Sequence, residues 1–282
     1  MQVFKTKFEL RDHLDKYRSK NVPIGLVPTM GALHEGHLAL VSRALEENEV
    51  VVVSIFVNPT QFNNAEDLAN YPKPLEKDLS LLESVSADLV VFAPEISEIY
   101  PEVLESKQYD FEGLDKVMEG AFRPGHFNGV GTIVEALFRT VEPDRAYFGE
   151  KDFQQLQIIR KLTDNQGIPV TVIGCPIVRE ASGLALSSRN TRLSDNSRQE
   201  ASFIYDMLQA AKSKFGTESA PNITAWVEEE FRRHPLLDLE YIQITDVDTL
   251  TPAKDKKENI KYRAFIAAYA DGVRLIDNIA LN

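Results

Sequence analysis

Apolar residues in the first part of the chain alternate between two patterns. Residues 22–27 and 50–57 are apolar at nearly every position, which predicts strands buried on both faces, as in a parallel sheet. Between them, the apolar positions of residues 38–45 follow helical spacing, and the helix is expected to close at Asn48. Strand, helix and strand together predict a βαβ unit.

The same alternation continues to about residue 176. Further helices are predicted at residues 75–85, 129–141 and 153–165, and further strands at residues 87–92, 145–148 and 168–175. Residues 1–176 are therefore expected to form a doubly wound, Rossmann-like α/β domain with a parallel sheet.

The pattern changes after Pro176. Helices are predicted at residues 195–215 and 223–233, and strands at residues 237–244, 262–270 and 273–276. Asp271-Gly272 separates the last two strands and is typical of a tight hairpin. Residues 177–282 are expected to form a smaller α+β C-terminal domain that closes over the site of the first.

Composition and charge exclude several classes of protein. The formal net charge is −12, which argues against a broad surface for nucleic acids or anionic membranes. No apolar run reaches the about 18 residues that a membrane span needs, and residues 1–7 show no secretory signal, so a cytoplasmic protein is expected. The single cysteine, Cys175, excludes an intrachain disulfide and a cysteine-rich metal cluster, and its apolar neighbours predict a buried thiol.

The first candidate for chemistry is the segment from Met30 to His37, which follows the first buried strand and opens a helix. Open α/β sheets bind ligands at this place, and the free amides of a helix start favour phosphate. His34 and His37 are three residues apart, so they share one side of the first turn and can donate hydrogen bonds to one phosphate chain. The zinc helix of metalloproteases spaces its histidines four apart and does not fit.

Three other polar segments fit a similar chemistry. Lys151 follows another predicted strand and can meet a phosphate as a point charge. The hydroxyls and guanidinium of residues 187–189 suit a polyphosphate, and Gln61 can orient a small polar substrate. Taken alone, each segment also fits an ordinary polar loop or helix start.

Common nucleotide and nucleophile motifs are absent. The chain has no Gly-x-x-x-x-Gly-Lys-Ser/Thr loop, no Gly-x-Gly-x-x-Gly after its first strand and no Gly-x-Ser-x-Gly elbow. A P-loop enzyme, a common dinucleotide enzyme and a covalent acyl-enzyme are therefore not expected.

Taken together, five segments resemble the motifs of the pantothenate synthetase (pantoate–β-alanine ligase) family, within the His-x-Gly-His nucleotidylyl-transfer superfamily. They occur in family order over most of the chain: residues 28–37, 56–62, 123–127, 148–156 and 183–190. The resemblance implies that ATP activates the carboxylate of (R)-pantoate as pantoyl adenylate and that β-alanine then displaces AMP. It also implies Mg²⁺ carried with ATP and a homodimer.

The resemblance assigns roles to individual residues. The residues implied to bind ATP are Met30, Gly31, Ala32, Leu33, His34, Glu35, Gly36, His37, Gly149, Glu150, Lys151, Asp152, Val178, Leu186, Ser187, Ser188 and Arg189. Among these, the implied catalytic residues are His37, His34, Lys151, Ser187, Ser188 and Arg189. Gln61 and Gln155 are implied to bind pantoate, with Gln61 also meeting β-alanine, and no residue is assigned to a metal.

Two other functions remain open at this stage. A related enzyme could transfer a nucleotide to a phosphate-bearing acceptor, although that acceptor needs more cationic residues. A nucleotide-sensing protein without catalysis would be expected to have lost His37, Lys151 or Arg189, and all three are present. Arg123 and His126 match a family motif, but the sequence assigns them no role.

Overall fold

The computed structural model describes residues 1–282, which form nine strands and eleven α-helices. The strands are β1 (Gln2–Phe4), β2 (Ile24–Thr29), β3 (Val50–Ile55), β4 (Val90–Phe92), β5 (Arg145–Gly149), β6 (Thr171–Cys175), β7 (Asp238–Asp246), β8 (Tyr262–Ala270) and β9 (Val273–Ala280). The helices are α1 (Lys7–Arg18), α2 (Glu35–Glu47), α3 (Ala65–Ala69), α4 (Leu75–Val85), α5 (Ile96–Ile99), α6 (Met118–Phe122), α7 (His126–Val141), α8 (Phe153–Gln166), α9 (Asp195–Glu200), α10 (Phe203–Phe215) and α11 (Ala220–Arg233).

The chain divides into two compact units. The first contains Met1–Glu150 and Gln155–Pro176, and the second contains Lys151–Gln154 and Ile177–Asn282. None of the helices combines the length and apolar character needed to cross a bilayer.

The first unit contains a six-stranded sheet in the order β1-β4-β3-β2-β5-β6, in which every neighbouring pair is parallel. Strand β3 is buried at its first five positions, because helices cover both faces of such a sheet. Helix α2 buries Leu38, Val41 and Ala44 in a core that includes Val53 of β3. The doubly wound parallel sheet expected from the hydrophobic pattern is confirmed.

The second unit contains a three-stranded antiparallel sheet in the order β7-β8-β9. Helices α10 and α11 bury apolar positions such as Leu208 and Val227 in the same core as Ile266 of β8. At the predicted hairpin, Asp271 and Gly272 have φ values of 50° and 71°, as a tight turn between twisted strands requires. The expected smaller α+β arrangement is confirmed.

Several predicted elements differ in their bounds or number. The prediction of a single helix at residues 195–215 is wrong, because α9 ends before Ala201 and α10 begins at Phe203. At the junction, the N–H of Ser202 bonds to the carbonyl of Gln199 three residues earlier, and the Ser202 hydroxyl bonds to the same oxygen at 2.9 Å. This local bonding competes with the helical pattern.

The last strand extends to Ala280 rather than residue 276, and strand β4 begins three residues later than expected. The N-terminal elements β1 and α1 were not predicted.

Candidate functional site

The candidate residues of the first unit follow neighbouring strands of the parallel sheet. Strand β2 lies between β3 and β5, so the chain leaves these three strands at one edge of the sheet. Residues 30–37 follow β2, residues 58–61 follow β3, and Glu150 follows β5. From β2 the strand order runs through β3 to β4 on one side, and β5 and β6 then lie on the other side of β2. Doubly wound sheets bind ligands at the point where the strand order reverses in this way.

The loop after β2 is held by a buried carboxylate. Gly31 and Ala32 have φ values of 78° and 51°, so two successive residues adopt the left-handed conformation. Asp78 of α4 accepts hydrogen bonds from the backbone N–H groups of Ala32 at 2.9 Å and Leu33 at 2.8 Å. A Cβ on Gly31 would lie 2.9 Å from Asp78 Oδ2, so glycine allows this close approach.

Asp78 is a site residue that the sequence analysis missed. Its side chain is buried, and burial raises the pKa of the carboxyl group above its ordinary value. The two backbone donors lower the pKa, but by less than burial raises it. Both oxygens accept a hydrogen bond, which suits the ionised form. The available signal was an acid between Leu75 and Leu82, on the otherwise apolar face of a predicted helix.

His34 and His37 cap the start of helix α2. Nδ1 of His34 accepts from the backbone N–H of Gly36 at 3.1 Å, and Nδ1 of His37 accepts from the backbone N–H of His34 at 3.3 Å. The ring centroids are 4.1 Å apart. Since Nδ1 is an acceptor in both rings, the neutral imidazoles carry their hydrogen on Nε2, which can donate. Two such donors at a helix N-terminus suit an anionic group such as phosphate.

Gln61 is joined directly to the loop after β2. Its Nε2 lies 2.9 Å from the sulfur of Met30, and its Oε1 lies 3.3 Å from Nδ2 of Asn58. The side chains of Asn58 and Gln61 are buried, although both carry polar amides. The structure thus brings Gln61, which is implied to bind pantoate, into contact with Met30, the first residue of the segment implied to bind ATP.

The structure places Arg123 and His126 against the same glutamine. Nδ1 of His126 lies 2.8 Å from the backbone oxygen of Gln61, and a guanidinium nitrogen of Arg123 lies 3.4 Å from that oxygen. His126 is buried at the first position of α7. Both residues therefore hold the backbone at Gln61, which the sequence alone did not indicate.

In the second unit, residues 178–186 form a small hairpin that turns at Gly183, whose φ is 96°. The N–H of Leu186 donates to the carbonyl of Val178 at 3.0 Å, so these two predicted residues are adjacent. Buried Asn190 donates to Glu180 at 2.9 Å and to the carbonyl of Ala185 at 3.1 Å, which secures the hairpin.

Ser187 caps the short 3₁₀ helix Ser188–Arg192 by accepting from the N–H of Arg189 at 3.2 Å. Ser188 is the first residue of that helix and Arg189 the second, and both are partly exposed. The three residues therefore form one turn of polar side chains.

Lys151 also belongs to the second unit. Its backbone oxygen accepts from Nδ2 of Asn278 at 2.8 Å, and its ammonium lies 3.3 Å from the carboxylate of Asp152. Gln155 belongs to the first unit and lies, partly buried, in the first turn of α8. No hydrogen bond joins Gln155 to Gln61.

A cavity of about 600 Å³ opens at the sheet edge beside the loop after β2. Its wall includes Met30, Gly31, Phe56, Asp78 and the two lysines Lys5 and Lys73. No group of three or more His, Cys, Asp or Glu side chains is placed to hold a metal ion.

Comparison with known proteins decides the family. The family model described as Pantoate-beta-alanine ligase matches residues 2–280. The chain belongs to this family. A pantothenate synthetase of Christiangramia forsetii is 58% identical over 282 residues, which cover 100% of both chains.

Solved structures of the pantoate-beta-alanine ligase family agree with the fold. A pantothenate synthetase from Thermus thermophilus has a TM-score of 0.91 and 43% identity, covering 100% of this chain and 99% of its own. A pantoate-beta-alanine ligase from Francisella tularensis, complexed with beta-gamma ATP and beta-alanine, has a TM-score of 0.81 and 37% identity, covering 100% of this chain and 98% of its own. The family resemblance inferred from the sequence motifs is therefore confirmed.

Proposed function

We propose that the chain condenses (R)-pantoate with β-alanine at the expense of ATP, giving pantothenate, AMP and pyrophosphate. Membership of the pantoate-beta-alanine ligase family over residues 2–280 supports this reaction. The local observation that carries it is the 2.9 Å contact between the amide of Gln61 and the sulfur of Met30, because it joins a candidate acid-binding residue to the candidate ATP loop.

In the first step, a carboxylate oxygen of pantoate attacks the α-phosphorus of ATP, and the bond to pyrophosphate breaks. Negative charge develops on the phosphate oxygens as pyrophosphate leaves. His37 and His34 stabilise that charge by donating from Nε2, and the start of helix α2 adds its partial positive charge. This role uses the tautomer with its hydrogen on Nε2, because Nδ1 of each ring accepts from a backbone N–H group, and it requires no covalent bond to the protein.

In the second step, the amine of β-alanine attacks the acyl carbon of pantoyl adenylate. The bond between that carbon and the AMP oxygen breaks, and the amine loses a proton to solvent. Gln61 and Gln155 hold the pantoyl group, and Gln61 also meets β-alanine, so these residues contribute mainly by positioning the reactants.

The remaining residues implied by the family motifs are proposed to bind ATP. Lys151 interacts with the phosphates as a point charge, and Ser187, Ser188 and Arg189 supply hydroxyl and guanidinium donors. Gly149, Glu150 and Asp152 flank Lys151, and Val178 and Leu186 contact the nucleotide from their hairpin. The partial exposure of Ser188 and Arg189 supports this assignment.

Mg²⁺ is proposed to enter with ATP, held mainly by phosphate oxygens and water. We also propose a homodimer, on the family resemblance, and a cytoplasmic location, where ATP is available. Light scattering after gel filtration tests the dimer, which a mass of 31.8 kDa would contradict.

A product assay tests the reaction. The protein is incubated with ATP, Mg²⁺ and pantoate, with and without β-alanine, and nucleotides and pantothenate are measured by mass spectrometry. We expect AMP and pantothenate in equal amounts when β-alanine is present, and bound pantoyl adenylate when it is absent. Formation of ADP would indicate an acyl phosphate and contradict the adenylate route. Binding of ATP without turnover would favour a nucleotide-sensing protein.

A further inference from the structure

Tyr100 lies outside the motifs that the sequence analysis singled out, yet its hydroxyl reaches the residues around Gln61. It follows the last residue of the short helix α5, and its side chain is buried. The hydroxyl oxygen lies 2.6 Å from Oδ1 of Asn58 and 2.9 Å from Oγ1 of Thr60. Burial raises the pKa of Tyr100, so the phenol keeps its proton and can donate.

The orientation of the Asn58 amide follows from its two partners. Nδ2 of Asn58 lies 3.0 Å from the backbone oxygen of Gly129, and a carbonyl oxygen can only accept. The nitrogen of the amide must therefore face Gly129, which turns Oδ1 toward Tyr100. The tyrosine hydroxyl is then the donor in this pair, and a flipped Asn58 would place two acceptors, its Oδ1 and the carbonyl oxygen of Gly129, against each other.

The orientation of Gln61 follows from that of Asn58. The second hydrogen on Nδ2 of Asn58 points to Oε1 of Gln61, at 3.3 Å. The Oε1 atom of Gln61 is thereby engaged as an acceptor, and its Nε2 faces the sulfur of Met30. A thioether is a weak acceptor, so an oxygen atom of a substrate is a better partner for this N–H group.

We propose that Tyr100 is a positioning residue for pantoate. It donates to Asn58, which fixes the amide of Gln61 so that an N–H group, and not a carbonyl, is presented to an oxygen of the substrate. The inference rests on the function proposed above and adds a residue that none of the quoted family motifs contains. Tyr100 acts through Asn58 and Gln61 and need not contact the substrate.

The test compares Tyr100→Phe with Tyr147→Phe. Both variants remove one buried tyrosine hydroxyl from the first unit, but the hydroxyl of Tyr147 bonds to Asn48 and Glu47 at the C-terminal end of α2. That end lies about 15–20 Å along the helix axis from His37 and His34, because the helix rises about 1.5 Å per residue toward its last residue, Glu47. For Tyr100→Phe we expect the KM for pantoate to rise about tenfold, as for the loss of one buried hydrogen bond, with the KM for ATP unchanged.

Two further variants separate positioning from a general loss of structure. Asn58→Asp keeps the acceptor for Tyr100 but removes the donor to Gln61 and to the carbonyl of Gly129, so it should also raise the KM for pantoate. In a Gln61→Ala background, Tyr100→Phe should change the KM for pantoate less than twofold, because the residue through which it acts is gone.

Each outcome has a definite meaning. If the wild-type chain makes no pantothenate, the proposed function fails and the inference falls with it. If the wild type is active and Tyr100→Phe changes the KM for pantoate no more than Tyr147→Phe, only the inference fails. An equal rise in the KM values for ATP and pantoate, or an undiminished effect in the Gln61→Ala background, would also overturn it. Should Tyr100→Phe not fold, a normal KM for pantoate in Asn58→Asp would reject the inference.

Discussion

Asp78 offers a direct test of how the loop after β2 is held. The substitution Asp78→Asn preserves the size of the side chain but replaces one accepting oxygen with an amide nitrogen. That nitrogen would face the backbone N–H of either Ala32 or Leu33, so one of the two hydrogen bonds is lost. The side chain of Asp78 is buried, so the donor that loses its partner there is costly to leave unpaired.

The magnitude follows from the number and kind of these contacts. A hydrogen bond to a charged group contributes about 1.5–3 kcal/mol, so the loss of one is expected to destabilise the native loop by about 2 kcal/mol. The left-handed φ values of Gly31 and Ala32 are maintained by these bonds, so the loop should leave this conformation more often. An energy of about 2 kcal/mol corresponds to roughly a thirtyfold change in an equilibrium constant.

The assay measures kcat/KM for ATP by AMP release, together with urea unfolding. We expect kcat/KM for ATP to fall about tenfold to thirtyfold and the free energy of unfolding to fall by no more than about 2 kcal/mol. Asp88→Asn is the matched control, because it removes the same charge from an exposed position just beyond α4. Equal kcat/KM values for the two variants would refute the argument that Asp78 supports the ATP loop.

Three further predictions concern other parts of the first unit. His37→Ala should slow adenylate formation at least a hundredfold while changing pantoate binding little, because the imidazole acts on charge that develops in the transition state. Single-turnover kinetics measures the rate of adenylate formation and calorimetry measures pantoate binding; weaker pantoate binding with normal turnover would contradict this role. Gly129→Ala should destabilise the chain by about 1–3 kcal/mol and raise the KM for pantoate, because its Cβ would lie 2.5 Å from the backbone oxygen of Thr60. The comparison is Gly167→Ala, where a Cβ meets no atom within 4 Å, although the φ of 58° adds some strain. A similar KM for pantoate in both variants would argue against the role of Gly129. Burial opposes ionisation of Glu135, but hydrogen bonds from Tyr109, Lys107 and Arg139 lower its pKa from 4.5 to about 2, so the stability that this carboxylate contributes is complete above pH 4.5 and is lost as the pH falls toward 2. Urea unfolding should show Glu135→Gln about 2 kcal/mol less stable than the wild type at pH 6, with a difference that shrinks below pH 4.5. A difference in unfolding free energy that does not change with pH would contradict this account.

The sequence predicted the parts of the fold whose signal is local. Strands β2 and β3 are nearly uniform apolar runs, and the turn at Asp271-Gly272 has the residues that its backbone requires. Helix α1 was missed because only Leu10 and Leu14 are buried, although Thr6 and Glu9 carried a helix-start signal: Thr6 accepts from the N–H of Glu9. The split between α9 and α10 depends on one serine hydroxyl that no periodicity reveals.

The candidate site divides in the same way. His34, His37 and Gln61 were found because they occur in short motifs next to predicted strands. Asp78 and Tyr100 were not found, since each acts on a residue 42 or more positions away along the chain. Contacts of this kind depend on how α4 and α5 pack against the sheet edge.

The sequence by itself determined the family, the alternation of strands and helices, and the residue types available for the chemistry. These features are encoded in short segments, where spacing and side-chain type are sufficient. Only the tertiary structure decided which atom of each group is presented: the Nε2 hydrogens of the two histidines and the amide orientation of Gln61. Those choices are made by hydrogen bonds to buried partners that the fold brings together, because a buried donor or acceptor must be paired.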